Sequence, residues 1–158
     1  MHPILLKSVN LFDPEPKGVC DLFLCGGIVA AVGKNLSPAL PDVEVVDGSG
    51  LTALPGLVDQ HVHFTGGGGE CGFRSRVPEL SLTDFTTAGV TTAVGVLGTD
   101  SATRSPKNLL ARTKALNEEG ITAYCLTGAY DVPSPTVTGS LKDDVAFISE
   151  ILGVKVAL

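Results

Sequence analysis

The chain has 158 residues, 44% hydrophobic and 18% charged, which is typical of a globular protein rather than a disordered one. Its net charge of −6 and its lack of basic runs argue against a nucleic-acid or anionic-membrane partner. No segment has the ~18 apolar residues of a membrane span, and the first residues do not have the pattern of a signal peptide. The four cysteines form no C-x-x-C pair. These features predict a cytoplasmic protein with free thiols.

Residues 1–54 are predicted to form a small antiparallel β domain without helices. The segment Asp13-Pro14-Glu15-Pro16 is expected to end the first strand, and Gly26-Gly27 is typical of a hairpin turn between short apolar runs. Strands are predicted over residues 4–12, 21–25, 28–32 and 43–46.

Residues 55–158 alternate strand patterns with helix patterns. This alternation indicates parallel strands joined by crossover helices, and the apolar strands indicate a sheet buried on both faces. A (β/α) barrel and an open doubly wound sheet both fit this pattern. Strands are predicted over 57–63, 91–97, 121–126 and 154–158, and helices over 81–88, 105–119 and 140–152.

Unusual polar residues follow the first three of these strands. They include the pair His61 and His63, the residues Gly98-Thr99-Asp100, and the segment that ends at Tyr130. Barrel enzymes place their sites at the carboxyl ends of the strands, although open sheets also bind ligands there. Because a whole barrel takes about 250 residues, we expect this chain to be the N-terminal part of a (β/α)8 TIM-like barrel, from a longer protein or a truncated gene product.

His61 and His63 are separated by one residue at the end of an apolar strand. A strand has a side-chain period of two, so both imidazoles point to the same face. Two polar residues at a strand end need not bind anything. However, a glycine run follows this pair directly, which favours a site for zinc or a related divalent ion.

The segment from Gly66 to Glu70 has three interpretations: a flexible loop with an exposed acid, an anion cradle, or a loop that approaches a substrate closely. The cradle would lack the lysine and spacing of a phosphate-binding loop. In the third interpretation Glu70 favours a cationic group such as an α-ammonium. Thr99 and Tyr130 are either ordinary polar loop residues or site residues, and a tyrosine hydroxyl can donate to a developing oxyanion.

Lys155 lies within the apolar segment Val154-Lys155-Val156. By itself it is most simply an edge lysine that reaches solvent. Inside a barrel and beside two metal ions, however, an ammonium group is unfavourable. The free amine could then react with carbon dioxide to give an anionic carbamate, whose two oxygens can bridge two cations.

These features together resemble the amidohydrolase superfamily and, more closely, its isoaspartyl dipeptidase family. The resemblance spans essentially the whole chain. The four glycines followed by Glu70 are far more specific than the H-x-H pair. The residues that carry the resemblance are 55–63, 66–70, 95–101, 115–120, 126–130 and 153–155.

The resemblance implies a binuclear centre with two Zn²⁺ ions. His61 and His63 match ligands of one metal, and Lys155, as a carboxylated lysine, matches the bridge. The family's two further histidines and its proton-shuttle aspartate lie on later strands and have no counterpart here, nor do its arginines that grip substrate carboxylates. We therefore expect this chain alone to be inactive.

The resemblance also implies hydrolysis of a small β-aspartyl dipeptide, by a full-length protein that forms a homo-oligomer. Glu70 matches the residue that takes the α-ammonium, Thr99 matches a contact to the α-carboxylate, and Tyr130 matches the group that polarises the scissile carbonyl. Gly68 and Gly69 match further substrate contacts.

Two alternatives remain. One is another amidohydrolase, similar to a dihydroorotase or a hydantoinase, whose cyclic-amide substrates offer no α-ammonium to Glu70. The other is a non-catalytic truncated remnant, which would contain no zinc.

Overall fold

A computed structural model of the chain describes residues 2–156, and the chain divides into two compact units, Met1–Pro55 and Gly56–Leu158. In the first unit, a three-stranded antiparallel meander is extended by two short strands that run parallel to its first strand. The buried residues Val9, Leu11, Cys20 and Leu22 form its core. The strands are β1 (Ile4–Asp13), β2 (Glu15–Cys25), β3 (Ile28–Gly33), β4 (Glu44–Asp47) and β5 (Thr52–Ala53).

The segment 13–16 ends the first strand, as predicted, but it forms a tight turn directly into the next strand, which starts earlier than expected. Asp13 pairs with Glu15 around Pro14, so β2 begins at Glu15 rather than at residue 21. Pro16 lies opposite Phe12, at a register shift that accommodates a residue with no N–H to donate. The hairpin at Gly26-Gly27 is confirmed, with φ of 62° and 81°, the positive values that a tight hairpin turn requires.

The second unit contains a four-stranded parallel sheet whose strands are ordered as they occur in the chain. This confirms the predicted α/β architecture with crossover helices. The strands are β6 (Leu57–Val62), β7 (Val90–Gly95), β8 (Thr122–Thr127) and β9 (Ile151–Val154). The helices are α1 (Leu82–Thr86), α2 (Pro106–Glu119) and α3 (Leu141–Phe147), with a 3-10 turn at Phe73–Ser75.

The helices begin at the serines that the sequence indicates. The Ser105 hydroxyl accepts the N–H of Asn108 at 3.2 Å, with proline at the first helical position, and Gly120 ends α2 at a φ of 108°. Ser81 and Asp84 form a capping box at the start of α1, in which the Ser81 N–H donates to the Asp84 carboxylate at 2.7 Å. These caps explain why α1 and α2 follow the predictions closely.

The last helix and strand differ from the prediction. Helix α3 ends at Phe147 instead of residue 152, because Ile148 is already extended. Ile151 then pairs with Cys125 of β8, and Gly153 lies within β9 opposite Leu126 rather than ending a helix. Burial of Ile151 beside β8, in a segment of branched apolar residues, outweighs the helical pattern.

Within residues 56–156 the helices cover one face of the parallel sheet, and burial of both faces, which the apolar strands favour, is not seen in this part of the chain. Along β8, Ala123 and Cys125 are buried beneath the helices, whereas Tyr124 and Leu126 are partly exposed. The core on the helix side includes Phe64 and Phe85, whose rings meet edge to face at 5.7 Å. None of the described helices is long and apolar enough to cross a bilayer, and the four cysteines are free, as predicted.

Candidate metal and substrate site

The two histidines lie where β6 ends, with ring centroids 5.4 Å apart. His61 is exposed, whereas His63 is half-buried. The Nδ1 of His63 lies 3.1 Å from the carbonyl oxygen of Val96. If Nδ1 carries the proton it donates to this carbonyl, and Nε2 is then the nitrogen available to a ligand, as is usual for a metal-binding histidine.

The surroundings of His63 favour its neutral form. Burial is the largest cause that lowers its pKa; the bond to Val96 opposes this, and the charges of His61, Lys155 and Arg104 reinforce it. Its ring also lies between two glycines. A methyl group at Gly98 would stand 3.2 Å from its Cε1, and one at Gly67 would stand 3.5 Å from its Cδ2. A neutral, closely flanked imidazole suits a divalent metal.

Lys155 and Tyr130 lie together at the ends of neighbouring strands. The Lys155 ammonium is 5.6 Å from the centroid of the Tyr130 ring, and the Lys155 backbone N–H donates to the Thr127 carbonyl at 2.7 Å. Lys155 is also close enough to His63 for its charge to lower the His63 pKa. The structure thus brings Lys155, Tyr130 and His63 to one end of the sheet.

The donor set fits a metal centre only in part. Among residues 2–156, no three histidine, cysteine or acidic side chains gather closely enough to hold an ion. His61 and His63 can offer two imidazole nitrogens, and a carbamate on Lys155 would add anionic oxygens. The residues present therefore suit part of a centre whose remaining ligands would come from elsewhere.

Glu70 and Thr99 meet across two loops. We call residues 66–80 the glycine loop. The Thr99 hydroxyl donates to Oε1 of Glu70 at 2.7 Å, and this bond is the largest cause that lowers the Glu70 pKa. Both residues line a cavity of about 240 Å³. The predicted contact residue Gly69 lines the same cavity, and Gly68 packs against the Ser75 carbonyl within the glycine loop.

Sequence reasoning missed the charge network beneath this cavity. Asp100 accepts bonds from the hydroxyl and the N–H of Thr103, and one of its oxygens lies 3.1 Å from Nε of Arg76 and 2.9 Å from Nη1 of Arg104. The Thr103 hydroxyl is the largest cause of the lowered Asp100 pKa. The spacing of Asp100 and Arg104 by four residues was the only available signal, and it is common on protein surfaces.

A second missed residue, Asp144, holds the loop that carries Tyr130. We call residues 128–140 the tyrosine loop. The fully buried Asp144 carboxylate accepts bonds from the Thr127 hydroxyl at 2.5 Å, the Val137 N–H at 2.9 Å, and the Thr138 N–H and hydroxyl at 2.8 and 2.7 Å. Burial disfavours its charge, but these bonds outweigh burial and lower its pKa.

Comparison with solved structures gives matches over nearly the whole chain. A beta-aspartyl dipeptidase from Fervidobacterium islandicum AW-1, in complex with beta-Asp-Leu dipeptide, is 44% identical with a TM-score of 0.90, over 99% of this chain and 41% of that protein. A dihydroorotase structure is 21% identical with a TM-score of 0.65, over 99% and 42%, and shares the fold. The chain thus spans about two fifths of these proteins.

Curated proteins match a shorter segment, and no protein-family model matches. A dihydroorotase from Solibacter usitatus is 38% identical over 64 residues, which is 39% of this chain and 14% of that protein. A D-phenylhydantoinase from Escherichia coli is 38% identical over 61 residues, 39% of this chain and 13% of that protein. These matches confirm the predicted N-terminal part of a TIM-like barrel together with a small β unit, and the proteins that the chain is similar to include several amidohydrolases.

Proposed function

We propose that this chain, which is similar to the beta-aspartyl dipeptidases, belongs to the amidohydrolase superfamily and forms part of a metal-dependent hydrolase of β-aspartyl dipeptides. The observation that carries the proposal is the Glu70–Thr99 pair in its cavity. An ionised carboxylate beside a hydroxyl donor offers one partner for a substrate ammonium and one for a substrate carboxylate. A zwitterionic dipeptide presents both groups.

The proposed substrate contacts follow from the chemistry of these side chains. Glu70 stays ionised because Thr99 stabilises its charge, so it can bind an α-ammonium. The Thr99 hydroxyl would then turn its proton to the substrate α-carboxylate. Tyr130 is exposed near the end of β8, and its phenol would polarise the scissile carbonyl by donating a hydrogen bond. The Gly68 and Gly69 backbone allows the substrate to approach closely.

The proposed metal ligands are His61, His63 and a carboxylated Lys155. Carbon dioxide would add to the unprotonated Lys155 amine with release of one proton, giving a carbamate. When bound, a pair of zinc ions would act as a Lewis acid and lower the pKa of water. His63 fits this role because its Nδ1 is directed at the Val96 carbonyl and because burial, which lowers its pKa, favours the neutral ring. A cytoplasmic location and a homo-oligomeric full-length protein belong to the same proposal.

Zinc binding by the purified chain, in buffer with bicarbonate, tests the metal part of the proposal. We expect zinc uptake that is lost in His61→Ala and His63→Ala and retained in the control His2→Ala. The observation that His2→Ala loses as much zinc as His63→Ala would contradict these assignments. A chain that binds no zinc at all and unfolds broadly would support the non-catalytic remnant instead.

We also propose that the 158-residue chain by itself has little or no dipeptidase activity, because it offers only part of the ligand set. Zinc-dependent hydrolysis of β-Asp-Leu by the purified chain would show that the ligands present are sufficient.

A dihydroorotase-like or hydantoinase-like activity is the second candidate, since curated proteins of both kinds match. Parallel assays of a longer protein that includes this chain, with β-aspartyl dipeptides and with dihydroorotate, separate the two.

A further inference from the structure

Arg104 is a buried arginine with three bonds to three separate parts of the candidate site. Only 6% of its surface is exposed. Its Nε donates to the Thr65 carbonyl at 2.7 Å, Nη2 donates to the Val77 carbonyl at 2.9 Å, and Nη1 donates to Asp100 at 2.9 Å. A planar guanidinium can serve three acceptors at once in a fixed geometry, which no other side chain can do.

Two of these acceptors border the two limbs of the glycine loop. Thr65 directly precedes the loop and Val77 lies in its returning limb, where the Val77 N–H donates to the Gly67 carbonyl at 2.8 Å. The limbs are in contact, since a Cβ at Gly66 would lie 2.1 Å from the Val77 carbonyl oxygen. Arg104 therefore fixes both limbs from the same side.

The third acceptor belongs to the segment that follows β7. Asp100 is the neighbour of Thr99, and the Thr99 hydroxyl bonds to Glu70 in the glycine loop. Arg104 does not touch Glu70 or Thr99 in this network, but it is bonded to both of the segments that carry them. A single buried side chain is thus bonded to the two segments that carry Glu70 and Thr99.

We propose that Arg104 is a positioning residue that sets the distance between Glu70 and Thr99, and with it the shape of the substrate cavity. The inference rests on the proposed function only for the statement that these two residues bind substrate. The geometric claim concerns the chain without metal or substrate. An arginine with a purely structural role would stabilise the unit without controlling the Glu70–Thr99 bond.

The test compares Arg104→Met and Arg104→Lys with a matched control, Arg112→Met. Arg112 is also largely buried and bonds to the end of the same loop, through the Leu80 carbonyl at 2.8 Å, but its ionic partners are Glu79 and Glu119. Arg104→Lys keeps the charge and loses the three-way geometry, so it separates the effect of position from the effect of charge.

Two measurements by NMR on the purified chain, without metal or dipeptide, give the result. We expect amide hydrogen exchange at Val77 to be at least about tenfold faster in both Arg104 variants than in the wild type. We also expect the Glu70 pKa to rise toward the ordinary glutamate range, because the Thr99 bond is lost. Arg112→Met should leave both quantities as in the wild type.

The inference is overturned if Arg104→Lys is folded and matches the wild type in both measurements, or if Arg112→Met changes them equally. If Arg104→Met does not fold, Arg104→Lys alone decides by the same criteria. Neither measurement involves zinc or substrate. Failure of the proposed function would instead appear as loss of zinc or dipeptide binding with the Arg104 effects intact.

Discussion

The glycine loop and the tyrosine loop are each held by one buried charged side chain that lies outside the loop, but the two charges are opposite in sign. Arg104 bonds to carbonyl oxygens and has an ionic partner in Asp100, whereas Asp144 bonds to N–H and hydroxyl groups that are all neutral. Each captures the backbone groups that its loop leaves unpaired. The comparison indicates that loop shape at this end of the sheet depends on side chains outside the loops.

Replacement of Asp144 by alanine should give the largest loss of stability. It leaves the donors of Thr127, Val137 and Thr138 without an acceptor in a buried place, and we expect a cost of about 3–5 kcal/mol. Chemical denaturation measures this cost. Asp143→Ala is the control, because the Asp143 carboxylate is adjacent to Asp144 in the chain but takes no part in the buried network. This substitution should cost less than about 1 kcal/mol. Equal losses would show that Asp144 does not anchor the tyrosine loop.

The glycine loop should tolerate a new side chain at Gly72 better than at Gly66. Both residues have positive φ, 81° at Gly66 and 91° at Gly72. A Cβ at Gly66 would lie 2.1 Å from the Val77 carbonyl oxygen, whereas nothing lies within 4 Å at Gly72. We expect Gly66→Ala to cost about 3 kcal/mol and Gly72→Ala about 1 kcal/mol by thermal unfolding. Similar costs would mean that the two limbs of the loop are not in contact.

The Asp144 anchor should make stability depend on acid. Its pKa is lower in the folded chain than in the unfolded one, so its contribution is complete above the unfolded value of about 4 and is lost as pH falls through the folded value. Asp144→Asn has no carboxylate to ionise, so the variant never has this contribution to stability. The stability difference between wild type and Asp144→Asn, measured by urea unfolding from about pH 6 to about pH 3, should therefore narrow. A constant difference would show that the folded carboxylate is not stabilised.

The smallest expected effect on stability is at Gly98, outside both loops. An added methyl would press on the His63 ring at 3.2 Å from Cε1. We expect Gly98→Ala to cost only about 1 kcal/mol in stability, because the ring can shift slightly. Its effect on zinc affinity should exceed that of Gly67→Ala, whose methyl would lie in ordinary contact with the same ring. Equal zinc affinities in the two variants would show that the close approach of Gly98 to the His63 ring does not matter for zinc binding.

The repeating pattern of the chain was enough to predict its fold, because strand and helix signals agree with the tertiary structure. Ser105, Pro106 and Gly120 bound α2 as their local chemistry requires. The error at the end of α3 arose because pairing of Ile151 with Cys125 is a long-range contact that no local pattern contains. The apolar strands likewise predict a buried sheet but do not reveal what packs on its second face.

The candidate site was predictable where residue type determines chemistry. His61 and His63 could be selected from their spacing at the end of an apolar strand, and Glu70 and Thr99 from the loops that follow strands; the structure places Glu70 against Thr99. Arg104 and Asp144 could not be selected, since charged residues are usually exposed and the sequence does not show which ones are buried. Their roles depend on carbonyl and N–H groups of distant loops.

Glu70 and Thr99 are the central pair of the proposed site for a zwitterionic β-aspartyl group. The most direct test is NMR titration of the chain with β-Asp-Leu, with dihydroorotate as the comparison ligand and Glu70→Gln as the variant. We predict that β-Asp-Leu shifts the amide signals of Gly69, Glu70 and Thr99, and that the shifts disappear in Glu70→Gln and with dihydroorotate. Equal shifts with dihydroorotate, or shifts that persist in Glu70→Gln, would contradict the proposed substrate class.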